Sequence, residues 1–126
     1  MQAMGSPMGE DGAKLSALLI DEEVNKELIP ALNTYLSGIV VPGVTKEDML
    51  CEVADGIVDS VYVLYQLANS LGINFDACFA EVHRSNMSKR QPDGTVKRRE
   101  DGKILKPDSF SPPNLKPIML HEGATA

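Results

Sequence analysis

The sequence predicts an all-α protein, a helical bundle that is completed by oligomerisation and carries an extended C-terminal tail with a short hairpin. Three observations carry this. A long apolar stripe at helical spacing runs from Leu50 to Leu71, and a second helical pattern runs from Ala13 to Leu36. Large side chains are scarce, with three Phe, three Tyr and no Trp, which favours helix packing by Leu, Val and Ile.

Residues 1–12 are rich in Gly and Met without a period, and are expected to form a flexible N-terminus. From Ala13 the first helix presents Leu15, Leu18, Leu19, Glu22 and Lys26 on one stripe, with Ala17, Ile20, Val24, Leu28 and Ala31 on another. Pro30 interrupts it. A residue without an N–H, whose ring meets the carbonyl one turn back, should kink the helix or split it near Leu28. Gly38, Pro42 and Gly43 place a loop over 37–43, after which Thr45 and Asp48 suit a capping box. The second helix is expected to run to Leu71, closed by Gly72 in the left-handed conformation, with Leu50, Val53, Ala54, Ile57, Val58, Val61, Leu64, Tyr65, Ala68 and Leu71 as its packed stripe.

Asn74 caps a third helix from Phe75 to about Asn86, whose face is Phe75, Cys78, Phe79 and Val82. These helices make one helical domain, 13–90. The remainder, 91–126, reads as an extended tail packing on the bundle or on a neighbouring subunit. Asp101-Gly102 sits between two short extended halves and is the dipeptide a type I′ hairpin turn prefers. Pro112, Pro113 and Pro117 argue against helix beyond it. The second helix is apolar over more of its circumference than two neighbours can cover, so a homo-oligomer, dimer or tetramer, is expected.

A formal charge of −6, from 18 acidic and 12 basic side chains, disfavours nucleic acid or an anionic membrane as partner and favours cations. The basic run Lys97, Arg98 and Arg99 is followed at once by Glu100 and Asp101, with no interleaved aromatics, and reads as a solvated hairpin or a clamp over a neighbour's phosphates. Cys51 and Cys78 have no metal-ligand spacing and read as small buried residues in a reducing compartment. No run approaches the roughly 20 apolar residues that a membrane span needs, and the start has no secretory pattern, so a cytoplasmic location is expected.

Five carboxylates stand at helical spacing: Glu23 and Glu27 on the first helix, with Glu52, Asp55 and Asp59 on the second. At about 100° per residue, positions three and four apart share a face, so each helix can point two or three acids one way. Acids on an amphipathic helix usually form only its solvated face. Glu23 and Glu27, however, fall between two apolar stripes, and packing both stripes leaves them partly enclosed. Enclosed, mutually repelling carboxylates need protons or a cation, and hard cations such as Mg²⁺ or Mn²⁺ take oxygen ligands.

The strings LIDEEV, EVADGIVDSVYVLYQLANSLGI, EVHRSNMSK and REDGKILKPDSFSPPNL resemble the MazG-like members of the all-α nucleoside triphosphate pyrophosphohydrolase superfamily, phage-borne ones included, from Leu18 to Leu115. The resemblance implies a metal set of Glu22, Glu23, Glu52 and Asp55, with Asp59 on the same face. It also implies Asn86 and Lys89 as phosphate contacts. Which of Glu22 and Glu23 faces the metal is left open. The family pattern EE-x-x-E is broken here, because its fifth position is Lys26 and the acid, Glu27, arrives one residue late. Either Glu27 replaces the missing ligand or that helix supplies fewer; Glu27 is favoured because it shares a face with Glu23.

The implied activity is metal-dependent hydrolysis of (d)NTP to (d)NMP and pyrophosphate, with Glu23 taking the proton of the attacking water and dGTP as the favoured substrate. A phage-encoded chain would act in the host cytoplasm. His83 reads as a surface or packing residue, and His121 has no local partner. Two rivals stand beside this reading: a helical binding module whose acids only keep it soluble, and a phosphohydrolase that removes terminal phosphates stepwise.

Overall fold

The structure, a computed structural model, describes residues 9–119, and no strand occurs among them. The first eight residues of the expected flexible segment, and His121, lie outside the described residues. The chain divides after Gly72 into two units, a boundary inside the stretch that the sequence presents as one helical domain.

In the first unit, helix α1 spans Gly9–Ile20 and so starts four residues before Ala13. Glu10 and Asp11 in its first turn complement the positive end of the helix dipole, and Gly12 and Ser16 are buried. The chain then stays helical through Leu28 but changes its winding there. It widens into a π-helix over Asp21–Leu28 and returns to α-helix at α2, Ile29–Ser37. The Ile29 N–H reaches back five residues to the Val24 carbonyl instead of four. Pro30, in the first turn of α2, accounts for the position of this change. Its ring would crowd the carbonyl four residues earlier in a regular α-helix, and a wider preceding turn relieves that contact.

Gly38 ends α2 in the left-handed conformation, with φ of 72°. Helix α3, Lys46–Ser70, begins with the expected capping box: the Asp48 N–H donates to Thr45 Oγ1 at 3.0 Å, and the Thr45 N–H donates to Asp48 Oδ2 at 2.9 Å. Gly72, with φ of 70°, closes it. α1, the π-helix and α2 all pack against α3.

The face that α3 turns inward is a correction to the expected stripe. Val53, Gly56, Ser60, Val63, Ala68 and Ser70 are buried, whereas Leu50, Ile57, Val58, Val61, Leu64, Tyr65 and Leu71 are exposed in the single chain. Small residues explain the choice, since they let helices approach closely. A Cβ placed on Gly56 would lie 3.1 Å from the Leu28 Cα and 3.2 Å from its Cβ. Ser60 can be buried because its hydroxyl donates to the Gly56 carbonyl at 2.7 Å. Cys51 is likewise exposed, not buried, because two residues of helix separate it by about 200° from Val53.

In the second unit, Asn74 caps α4, Phe75–Met87, by accepting from the Ala77 N–H at 3.1 Å. Its most buried residue is Ser85, while Phe79 and Val82, expected to pack, are exposed. The following chain is tied to α4 by polar groups. Arg84 donates to Ser111 Oγ and the Pro112 carbonyl, both at 3.1 Å, and Glu81 accepts the Asn114 N–H at 2.7 Å. The Ser111 N–H donates to Ser88 Oγ at 2.8 Å.

Around Asp101-Gly102 there is a single antiparallel bridge, Arg98 to Ile104. The turn is not type I′. That form needs two residues with positive φ, and here only Gly102, at 90°, has it. The Gly102 N–H bonds the Arg99 carbonyl and the Arg99 N–H bonds the Lys103 carbonyl, the pattern of a three-residue loop with Gly at its left-handed position. The basic run is used locally, with Arg99 paired to Asp101 and Arg98 donating to the Gly102 carbonyl. Residues 116–119 form one helical turn in spite of Pro117, since a proline is tolerated where the N–H would have no partner.

Candidate metal centre

The close approach at Gly56 sets α3 against the π-helix, and antiparallel packing then brings the residues before Leu28 towards those after Gly56. Glu23, Glu27 and Asp59 meet there. Each offers a carboxylate oxygen, and these atoms all lie within 4.8 Å of one another. Glu23 is half-buried, Asp59 is half-buried and Glu27 is exposed at the rim.

Glu23 is the centre of the group electrostatically. Its Oε2 is enclosed and has no hydrogen-bond partner. Enclosure is the largest influence pushing its carboxyl above the ordinary value, followed by the negative charges of Glu27 and Asp59, its hydrogen bond with Glu27, and the charge of Glu22. A carboxylate surrounded by carboxylates, with an oxygen that nothing satisfies, has the chemistry of a cation ligand. Three acidic oxygens of this kind fit Mg²⁺ or Mn²⁺, both hard cations that prefer oxygen donors.

The acids neighbouring this group behave otherwise. Asp21, on the same helical segment, accepts from Asn25 at 2.8 Å and pairs with Lys26 at 3.6 Å, and its carboxyl is held below the ordinary value by the Asn25 bond first. Lys26 therefore faces solvent with Asp21.

Of the residues singled out in the sequence, the structure gathers Glu23, Glu27 and Asp59. Glu22 is exposed beside them and acts on Glu23 by charge alone. Asp55 and Glu52 are exposed and stand outside the three-acid group. Helical spacing puts Asp55 one turn from Asp59 and Glu52 about one turn further. Glu52 borders a surface depression of about 600 Å³ that is also lined by Ala31, Thr34, Val44 and Met49. Asn86 is exposed near the end of α4, where its carbonyl accepts the Lys89 N–H, and His83 is exposed on the same helix.

Sequence reasoning passed over two features that shape this site, the π winding and Gly56. Each left a signal. An isolated Gly in a regular helical pattern costs roughly 1 kcal/mol relative to Ala and so points to a close approach. Pro30, whose ring crowds the carbonyl one turn back in a regular helix, points to altered winding before it.

An all-α unit in which acids from two packed helices converge on one point has a donor set suited to a hard divalent cation. The chain belongs to the phosphoribosyl-ATP pyrophosphohydrolase family, which it matches over residues 7–86. That family is part of the MazG-like all-α NTP pyrophosphohydrolase superfamily, as the sequence strings suggested. Membership implies pyrophosphohydrolase activity on nucleotides. No curated protein matches the chain. No helix among the described residues is long and apolar enough to cross a membrane.

Proposed function

We propose that the protein hydrolyses a nucleoside triphosphate to the monophosphate and pyrophosphate, with Mg²⁺ or Mn²⁺ held by Glu23, Glu27 and Asp59. The unpartnered, enclosed Glu23 Oε2 amid three other acids is the observation that supports it most. When bound, the cation supplies charge neutralisation for the triphosphate and lowers the pKa of water. Asp59 and Glu27 would hold the cation beside Glu23. An oxygen of Glu23 left free of the cation takes the proton from the attacking water as pyrophosphate departs. Glu22, Asp55 and Glu52 extend the acidic face for further metal contact, and the depression beside Glu52 gives room for base and sugar.

Asn86 and Lys89 as phosphate contacts belong to this proposal through the sequence resemblance; a Lys offsets charge on the departing pyrophosphate. dGTP is the proposed substrate, by similarity to the phage-borne members. A second reading follows from the family that the chain matches: phosphoribosyl-ATP, a substituted triphosphate, would lose pyrophosphate by the same attack. We also propose that the chain is a homo-oligomer, dimer or tetramer. Ile57, Val58, Val61, Tyr62 and Tyr65 form an apolar patch on α3, each at least 44% exposed in the single chain, and such patches favour association.

Incubating the protein with phosphoribosyl-ATP and the common NTPs and dNTPs, with Mg²⁺ or Mn²⁺, tests both readings. Pyrophosphate from dGTP supports the first and pyrophosphate from phosphoribosyl-ATP alone the second. Orthophosphate as first product selects stepwise removal of terminal phosphates. No product from any nucleotide, with no manganese-induced rise in melting temperature, selects a non-catalytic helical module.

A further inference from the structure

Asp48, Glu52, Asp55 and Asp59 follow one another at steps of four, three and four residues, so they form one line of acids along α3. One end of this line, Asp59, meets Glu23 and Glu27. The other end enters the depression between α2 and α3, where Ala31, Val44 and Met49 give apolar walls and Thr34, Asp48 and Glu52 give polar groups. At the rise of an α-helix, Asp48 stands roughly 16 Å from Asp59 along the axis. That is the reach of a nucleotide drawn out from a phosphate at the acid group to the far edge of its base.

We propose that this depression reads the base of the substrate, with Asp48 as hydrogen-bond acceptor and Thr34 as donor, and that it selects guanine. The inference rests on the reading of the acid group as the triphosphate site, and adds which base that site takes and which residues choose it. An ionised carboxylate only accepts, while a hydroxyl can donate. Asp48 keeps acceptor capacity after its Oδ2 takes the Thr45 N–H at 2.9 Å. The Thr45 N–H first, and the Thr45 hydroxyl second, hold its carboxyl below the ordinary value, so it stays ionised at neutral pH. Guanine presents two adjacent donors, N1–H and the 2-amino group, beside the O6 acceptor, and so complements a carboxylate beside a hydroxyl. Adenine sets the N1 lone pair next to its amino group, and cytosine does the same with N3. Uracil and thymine flank their N–H with two carbonyls. Each of these turns a lone pair towards the Asp48 carboxylate, and no cationic or amide side chain lines the depression to relieve it. Met49 and Val44 offer thioether and methyl groups that pack on any ring, which leaves the choice to the polar edge.

The test is kcat/KM for dGTP, dITP, dATP and dTTP with Mg²⁺ or Mn²⁺, together with equilibrium binding of dGMP and dIMP. dITP differs from dGTP only in lacking the 2-amino group. The wild-type protein is expected to favour dGTP over dITP by roughly 5- to 150-fold, the discrimination of a bidentate pair. Asp48→Asn, which puts a donor where an acceptor stood, is expected to abolish that preference. Asp48 also belongs to the capping box, so Thr45→Ala is the control: it removes the partner hydroxyl of the cap, and is expected to lower the melting temperature and keep the preference. Loss of the preference in Thr45→Ala as complete as in Asp48→Asn makes Asp48 merely structural and overturns the proposal. Equal turnover of dGTP and dITP by wild type, or turnover of phosphoribosyl-ATP alone, overturns the base assignment and leaves pyrophosphohydrolysis standing. If Asp48→Asn does not fold, the wild-type ratio decides alone. A protein that releases pyrophosphate from no nucleotide loses the proposed function; the base assignment then stands if dGMP binds more tightly than dIMP, and falls if the two bind alike.

Discussion

Glu23 and Glu81 are both helix carboxylates, and their surroundings push them in opposite directions. Glu81 receives two guanidinium bonds from Arg84, at 2.8 and 2.9 Å, and the Asn114 N–H; the Arg84 bonds first, then the backbone bond, hold its carboxyl down at about 2. Glu23 has other carboxylates for neighbours, and enclosure with repulsion raises it. The first carboxylate has its donors supplied by the chain and serves structure. The second lacks them, and a folded protein that keeps such a group has placed it for something that arrives from outside.

Removing the charge should affect the two in opposite ways, and the largest effect is on turnover. Glu23→Gln is expected to lower metal-dependent pyrophosphate release by about 10²- to 10⁴-fold, the range for a lost general base. The same variant should melt higher than wild type in metal-free buffer at pH 7, and the manganese-induced rise should vanish. Glu81→Gln should melt lower and leave the manganese response in place. A Glu23→Gln protein with full turnover would erase the distinction.

Next in size is the close approach that assembles the acid group. Gly56→Val adds bulk where a single Cβ would already sit 3.1 Å from the Leu28 backbone. Overpacking of this kind is expected to cost about 1–3 kcal/mol in urea unfolding. Manganese binding should weaken as well, because Glu23 and Glu27 move with Leu28.

The smallest expected effects are in pH dependence, and they carry opposite signs. Glu81 is lowered from 4.5 to about 2, so its contribution is present above 4.5 and is lost as pH falls towards 2. Faster amide exchange at Asn114 in acid, relative to the helix interior, checks this. Glu23 is raised above 4.5, so the metal-free protein loses stability as pH climbs from 4.5 through the raised value. Melting curves across that window, with and without Mn²⁺, should converge in acid and separate towards neutrality.

The Thr45 capping box, the Asn74 cap and the Gly72 closure were legible because each is set by residues within a few positions of one another. Glu23, Glu27 and Asp59 were legible as candidates for a similar reason, since helical spacing fixes which acids share a face. What spacing could not give was the inward face of α3. The most apolar stripe, with Ile57, Val58 and Val61, stays exposed in the single chain, while Gly56 and Ser60 pack inside. Hydrophobic periodicity records what prefers to leave water, and it does not say whether a partner helix of the same chain or another copy will cover it.

By itself the sequence determined that the chain is helical, where its caps fall, and that acids recur on two helices. These follow from local backbone preference and the angle between successive residues. Only the tertiary structure decided that Asp59, and not Glu52 or Asp55, joins Glu23 and Glu27. The reason is that the close approach of Leu28 to Gly56 sets which turn of α3 lies opposite Glu23, and that contact joins residues far apart in the chain.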